Sequence, residues 1–150
     1  MNDALRKLIK RHEGLSLIPY RCPSGFLTIG YGWNFDANPL PKAIADHLSE
    51  RGSITVEMAE ELLAISLGRA VADARKLYKN FDEASENRQI ALASMLFQMG
   101  YTTMSGFVTT NPMIRRGEWT AAADNLSKSK WARKDTPKRA KEVIKLLRDG

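Results

Sequence analysis

Apolar residues recur at helical spacing along most of this chain, and in one stretch near its start they give way to short runs broken by proline and glycine. Residues 3–12 read as an amphipathic helix. Leu5, Leu8 and Ile9 share one face, Asp3 can cap the start, and Gly14 is a stop in the left-handed conformation that ends many helices. From 15 to 35, Pro19, Pro23, Gly25, Gly30 and Gly32 punctuate runs such as Phe26-Leu27-Thr28-Ile29. That pattern predicts a small antiparallel sheet with a turn at Pro23-Ser24-Gly25. Residues 36–41 read as a loop, and 42–48 as a turn or two of helix.

The longest periodic segment runs from Thr55 to about Asn80. Glu57, Glu60 and Glu61 stand in its first turns and Arg75, Lys76 and Lys79 in its last, each sign at the end of the helix dipole that favours it. Met58, Leu62, Ile65, Val71 and Leu77 can form its apolar stripe. At about 1.5 Å per residue such a helix spans about 37 Å, enough to bridge two lobes. The rest reads as helical. Residues 87–99 are apolar enough to form the buried centre of a second lobe, and 112–116 and 119–127 suit two shorter helices. Thr136-Pro137 is a cap followed by proline at the first helical position. The last helix then runs to about Arg148, with Val143, Ile144 and Leu147 inward. The expected fold class is α+β, mostly helical, with one small sheet near the N-terminus.

Composition narrows the class. A chain of 150 residues with 43% hydrophobic and 27% charged residues suits one globular domain that buries roughly two-thirds of its unfolded surface. The single cysteine, Cys22, excludes an intramolecular disulfide framework and a Cys-rich zinc site, and fits folding in a reducing compartment. No stretch reaches the roughly 20 apolar residues that span a bilayer. Residues 1–7 carry charges throughout and hold no apolar signal core. The net charge of +6 implies attraction to polyanions; nucleic acid, anionic wall polymers and membrane surfaces fit it equally.

Candidate chemistry begins at Glu13. A carboxylate where a helix ends lies among carbonyls at the negative end of the dipole, which disfavours its charged form; a general acid needs that bias. Cys22 follows nine residues on and Thr28 six further, and a hairpin beside the first helix could bring all three to one cleft. Taken singly, each has an ordinary reading: a surface glutamate, a packing cysteine, a threonine placed for strand propensity. Other motifs fail. Gly30-Tyr31-Gly32 lacks the third glycine and the helix of a dinucleotide site. His12-Glu13 begins like a zinc-protease motif, but Ser16 stands where the second histidine belongs. His47 has no partner at ligand spacing, and no serine lies in a Gly-x-Ser-x-Gly elbow. No metal and no cofactor is expected.

Three blocks carry a resemblance. The run from His12-Glu13-Gly14-Leu15 to Thr28-Ile29-Gly30-Tyr31-Gly32 resembles the active-site segment of the phage lysozymes, in which Glu, eight residues, Asp or Cys, five residues and Thr follow one another. Ala91-Leu92 through Met95-Leu96-Phe97-Gln98-Met99-Gly100, with Gly106-Phe107 after it, is similar to the central helix of that family's C-terminal lobe. Trp119, Ala122-Ala123, Asn125-Leu126, Ser129-Lys130-Trp131, Thr136-Pro137 and Arg139-Ala140 match in order beyond it. The resemblance implies one lysozyme-like domain of two lobes, about 1–54 and 81–150, joined by the helix at about 55–80 with the cleft between them. It implies a muramidase that cuts the β-1,4 bond between N-acetylmuramic acid and N-acetylglucosamine in bacterial peptidoglycan. Glu13 would protonate the leaving oxygen, Thr28 would help to hold the attacking water, and Cys22 would take the place usually held by aspartate. Arg139 matches an arginine that pairs with the catalytic glutamate, and Gln98 and Asn125 match cleft-lining positions.

The same resemblance implies a monomer made in the host bacterial cytoplasm, acting on the wall in the periplasm after release through a separate holin-like pore. Two departures stand out. Cys22 could act as thiolate base, covalent nucleophile or water-positioning group, the first tending to invert the anomeric centre and the second to retain it. Trp33 replaces the histidine of many members, so a polar contact there is not inherited. One extra residue between Trp131 and Thr136 is assigned to a loop. The readings set against hydrolysis are a lytic transglycosylase, which forms an anhydro ring, and a non-enzymatic cationic protein binding membranes or nucleic acid through Arg133, Lys134, Lys138, Arg139 and Lys141.

Overall fold

The computed structural model describes residues 1–150 and divides into two compact units, one of residues 6–67 and one of residues 1–5 with 68–150. The architecture is α+β and mostly helical, with one small antiparallel sheet, as the pattern predicted.

The first unit is built around the sheet. Helix α1 (Asn2–Glu13) starts one residue earlier than the pattern suggested, so Asp3 lies in its first turn rather than at its cap. Strands β1 (Ser16–Arg21), β2 (Leu27–Gly30) and β3 (Trp33–Asn34) follow in antiparallel order β1-β2-β3. The pairing Tyr20↔Thr28 and Arg21↔Leu27 is regular beside the hairpin, and an irregularity intervenes before Ser16↔Gly30. Helix α2 (Lys42–Arg51) is longer than expected and stops at Gly52 in the left-handed conformation. Ile29, Trp33, Ile44, Ile54, Ala59 and Leu62 form the core under the sheet.

Helix α3 (Val56–Leu77) contributes to both units. Its 22 residues rise about 33 Å, and it ends at Leu77, before Asn80. Its buried positions are Ala59, Leu62, Leu63, Leu67, Ala70, Ala74 and Leu77, while Met58, Ile65 and Val71 are only partly buried. Alanine lets neighbours approach closely, so small residues carry much of a face that hydrophobicity alone assigned to the large ones.

In the second unit α4 (Glu86–Ser105) is the centre. Ser85 caps it by accepting the Arg88 amide N–H at 3.3 Å, and all seven residues from Ile90 to Leu96 are buried, as expected of a helix apolar on every side. Gly100, at φ 81 and ψ 166, breaks the helix sharply. Helix α7 (Pro137–Asp149) packs against it with Val143, Ile144 and Leu147 inward, α6 (Trp119–Leu126) packs on α7, and α5 (Thr110–Arg115) on α6. The buried polar pair is satisfied: the Tyr78 hydroxyl donates to Asn111 Oδ1 at 2.7 Å, and Asn111 Nδ2 donates to the Met104 carbonyl at 2.8 Å.

Two local expectations are corrected. The extra residue before Thr136 does not loop out. Residues Trp131–Asp135 form a π-type turn closed by the Thr136 amide on the Trp131 carbonyl at 3.0 Å, so a wider helical turn absorbs the insertion. Thr136 stands at the N-cap of α7 with Pro137 after it, as expected, but its side chain does not cap the helix; its hydroxyl accepts from Gln98 Nε2 at 3.0 Å instead. No helix is long and apolar enough to cross a membrane.

Candidate active site

Glu13 is the final residue of α1 and is half-buried. The chain can end the helix there because Gly14 takes φ +71 and returns its amide to the Lys10 carbonyl at 2.9 Å. The turn from β2 to β3 then comes up against the carboxyl. Gly32 has φ +77, and a Cβ built on it would collide with Glu13 Oε1. Glycine suits the left-handed backbone here, and a side chain in its place would push the Glu13 carboxyl aside.

The hairpin supplies the other groups. With Tyr20 opposite Thr28 and Arg21 opposite Leu27, the ladder continues to Cys22, whose amide donates to the Phe26 carbonyl at 3.0 Å. Cross-strand partners share a face and successive residues alternate. Tyr20, Cys22, Phe26 and Thr28 therefore stand on one side of the hairpin, and Arg21 and Leu27 on the other.

Electrostatics agree with that grouping. The amide of Phe26 holds the Cys22 thiol below its ordinary pKa, against the opposing effect of burial, with help from the Ser24 amide, the Thr28 hydroxyl and the Gly25 amide. Tyr20 is pushed up by burial first, and then by the charges of Glu13 and Cys22. Thr28 is 4% exposed, and its hydroxyl donates to the Phe26 carbonyl at 2.9 Å. With one proton to give, that hydroxyl serves the carbonyl or the sulfur at any moment, and a thiolate competes for it.

All three residues lie in the sheet-containing unit: Cys22 and Thr28 share one hairpin face, and Glu13 is within electrostatic reach of Tyr20 on that face. Gln98, Asn125 and Arg139 belong to the helical unit. Gln98 uses both ends of its amide there, donating to Thr136 and accepting from Trp131 Nε1 at 3.0 Å. Asn125 donates to Thr110 Oγ1 at 2.7 Å and lines a cavity of about 280 Å³ with Phe107, Lys128 and Ser129 among its walls. Arg139 is half-buried on α7. Trp33 makes its own polar contact in place of the absent histidine, its indole N–H donating to the Asn38 carbonyl at 3.0 Å. His47 faces the Ser53 carbonyl through Nδ1 at 3.0 Å. No three His, Cys, Asp or Glu side chains converge on a point that could hold a metal ion.

Sequence reasoning missed Tyr20, Phe26 and Gly32. Alternation counted back from Thr28 through the turn would have put the two aromatic residues beside Cys22. Nothing in the spacing signals the approach of Gly32 to Glu13.

Residues 10–147 match the family described as Phage lysozyme. The chain is 29% identical to a probable T4-type lysozyme 2 of Dictyostelium discoideum, over 100% of this chain and 96% of that protein. It is 31% identical to an endolysin of Acyrthosiphon pisum secondary endosymbiont phage 1, over 87% of this chain and 82% of the relative. It is also 28% identical to the pre-baseplate central spike protein Gp5 of Enterobacteria phage T4, over 99% of this chain but 28% of that longer protein. A family match across nearly the whole chain, over a fold of the expected class, places this protein in the phage lysozyme family as a lysozyme-type, peptidoglycan-lytic hydrolase.

Proposed function

We propose that the protein is a muramidase that hydrolyses the β-1,4 bond between N-acetylmuramic acid and N-acetylglucosamine, with Glu13 as general acid. The observation that supports this reading is that the Glu13 charge reaches Tyr20 on the hairpin face that also bears Cys22 and Thr28. Glu13 gives its proton to the leaving glycosidic oxygen as the bond to the anomeric carbon breaks. Water held by Thr28 and Cys22 adds to that carbon, and the sulfur, whose charged form the surrounding N–H groups favour, takes the water's proton. Direct attack by water inverts the anomeric centre. Asn125 and Arg139 are assigned to the glycan, and Gln98 to the same role through the groups it holds. Host-cell lysis as a monomer, after release through a separate pore-forming partner, belongs to the same reading and is supported by the family resemblance.

Digestion of purified peptidoglycan with wild type and Glu13→Gln, followed by mass spectrometry of the products, tests it. A general acid contributes about 10²–10⁴-fold, so Glu13→Gln should lose about 10³-fold in rate while keeping its thermal midpoint. Reducing ends in the wild-type digest are expected. Anhydro ends would replace hydrolysis by transglycosylation, and lysis that persists in Glu13→Gln would point to a cationic membrane disruptor.

A further inference from the structure

The six exposed large apolar side chains are not scattered: Leu15, Ile18, Tyr20 and Phe26 fall within twelve residues, and only Val56 and Val108 lie elsewhere. An isolated exposed apolar residue needs no explanation, but a group on one short element marks a binding surface. Two of the four are aromatic, and those two share the hairpin face with Cys22 and Thr28. Tyr20 is opposite Thr28, and Phe26 is joined to Cys22 through the backbone. Phe26 is 47% and Tyr20 36% exposed, so neither ring is there to fill the core. The unit buries its apolar surface elsewhere, around Ile29 and Trp33.

We propose that Tyr20 and Phe26 are substrate-binding residues that flank Cys22 with two aromatic surfaces and hold the apolar face of a pyranose ring of the glycan beside the reacting bond. This rests on the assignment of Glu13, Cys22 and Thr28 as the reacting groups. A pyranose carries its axial C–H bonds on one face, and an aromatic ring offers that face a flat apolar partner at little cost in side-chain entropy. The upward shift of the Tyr20 phenol, caused first by burial and then by the Glu13 and Cys22 charges, keeps its proton in place. Tyr20 lies on paired β1, and Phe26, the residue before β2, is tied to the Cys22 amide through its carbonyl, so both rings are held in place to bind the sugar.

The test is binding without turnover. In a Glu13→Gln background, titration calorimetry with a soluble tetrasaccharide of alternating N-acetylglucosamine and N-acetylmuramic acid should show about tenfold weaker binding for Tyr20→Leu and for Phe26→Leu. The aromatic replacements Tyr20→Phe and Phe26→Tyr should stay within about twofold of the parent, which separates a ring requirement from mere bulk. With Glu13 restored, the leucine variants should raise KM far more than they lower kcat. Thermal midpoints near the parent's identify a local loss rather than a failure to fold. Leucine variants that bind as tightly as the parent, or aromatic variants that lose binding equally, would overturn the inference. Continued cutting by Glu13→Gln alone would instead sink the acid assignment and leave the binding result readable.

Discussion

The two compact units hold themselves together in different ways. The helical unit gathers nineteen buried residues in one cluster, from Ala70 to Leu147. The cluster under the sheet holds six. In the sheet-containing unit Glu60 on α3 accepts from Arg6 at 3.1 Å and from Lys10 on α1, and Lys10 lies over the Tyr31 ring at 5.3 Å. That contact, made first by Lys10, holds the Glu60 carboxyl below its ordinary range. Such half-exposed ion pairs contribute only about 0.2–1 kcal/mol each. Apolar burial therefore dominates stability, and the unit with the smaller cluster is the one that carries Glu13, Cys22, Thr28 and most of the exposed apolar side chains.

The contrast can be broken in three places. The largest effect is expected in the helical core, where Leu92 is fully buried. Leu92→Ala should lower unfolding stability by about 3 kcal/mol, through lost transfer energy and the cavity left behind. Denaturant titration measures that loss, and the native alkylation rate of Cys22 should stay unchanged if the units are as separate in energy as in composition. A rate that rose with the loss of Leu92 would join them.

The second effect is electrostatic and local. Because the Phe26 amide and its neighbours lower the Cys22 pKa in the fold, the folded state favours the thiolate. The stability this contributes is present above the unfolded pKa and is lost as pH falls through the lower folded value. The pH midpoint of Cys22 alkylation should accordingly lie lower in native protein than in urea-unfolded chain. Thr28→Val, which removes one donor, should move the native midpoint upward. A native midpoint equal to the unfolded one would remove the sulfur from the charge-bearing role given to it.

The smallest effect tests how well the large core is satisfied. Ser94 Oγ is buried in α4 with no hydrogen-bond partner. Ser94→Ala removes an unsatisfied polar group, so thermal unfolding should show no loss, or a gain of up to about 1 kcal/mol. A clear destabilisation would mean that the hydroxyl finds a partner within the core.

The amphipathic periods of α1, α4 and α7, the glycine stop at Gly14, and the proline-glycine punctuation of the hairpin could be read in the sequence because each depends on residues within a turn or two of one another. The face of α3 was only half legible. Ala59, Ala70 and Ala74 are buried because neighbours approach closely there, and hydrophobicity does not report that. The π-type turn at 131–135 was likewise hidden, since inserting one residue into a helix and inserting it into a loop look alike in one dimension.

The Glu13, Cys22 and Thr28 spacing nominated three groups, and the alternation of a paired hairpin put two of them on one face. Local sequence determined the elements, their ends and the candidates for chemistry, because short-range sterics and periodicity act between near neighbours. Only the tertiary structure decided that the Gly32 backbone lies against the Glu13 carboxyl, that Ala59, Ala70 and Ala74 line the buried face of α3, and that the Thr136 hydroxyl, at the start of α7, receives Gln98. Each of these depends on a distance between segments, and segments meet in space according to how the whole chain buries its apolar surface.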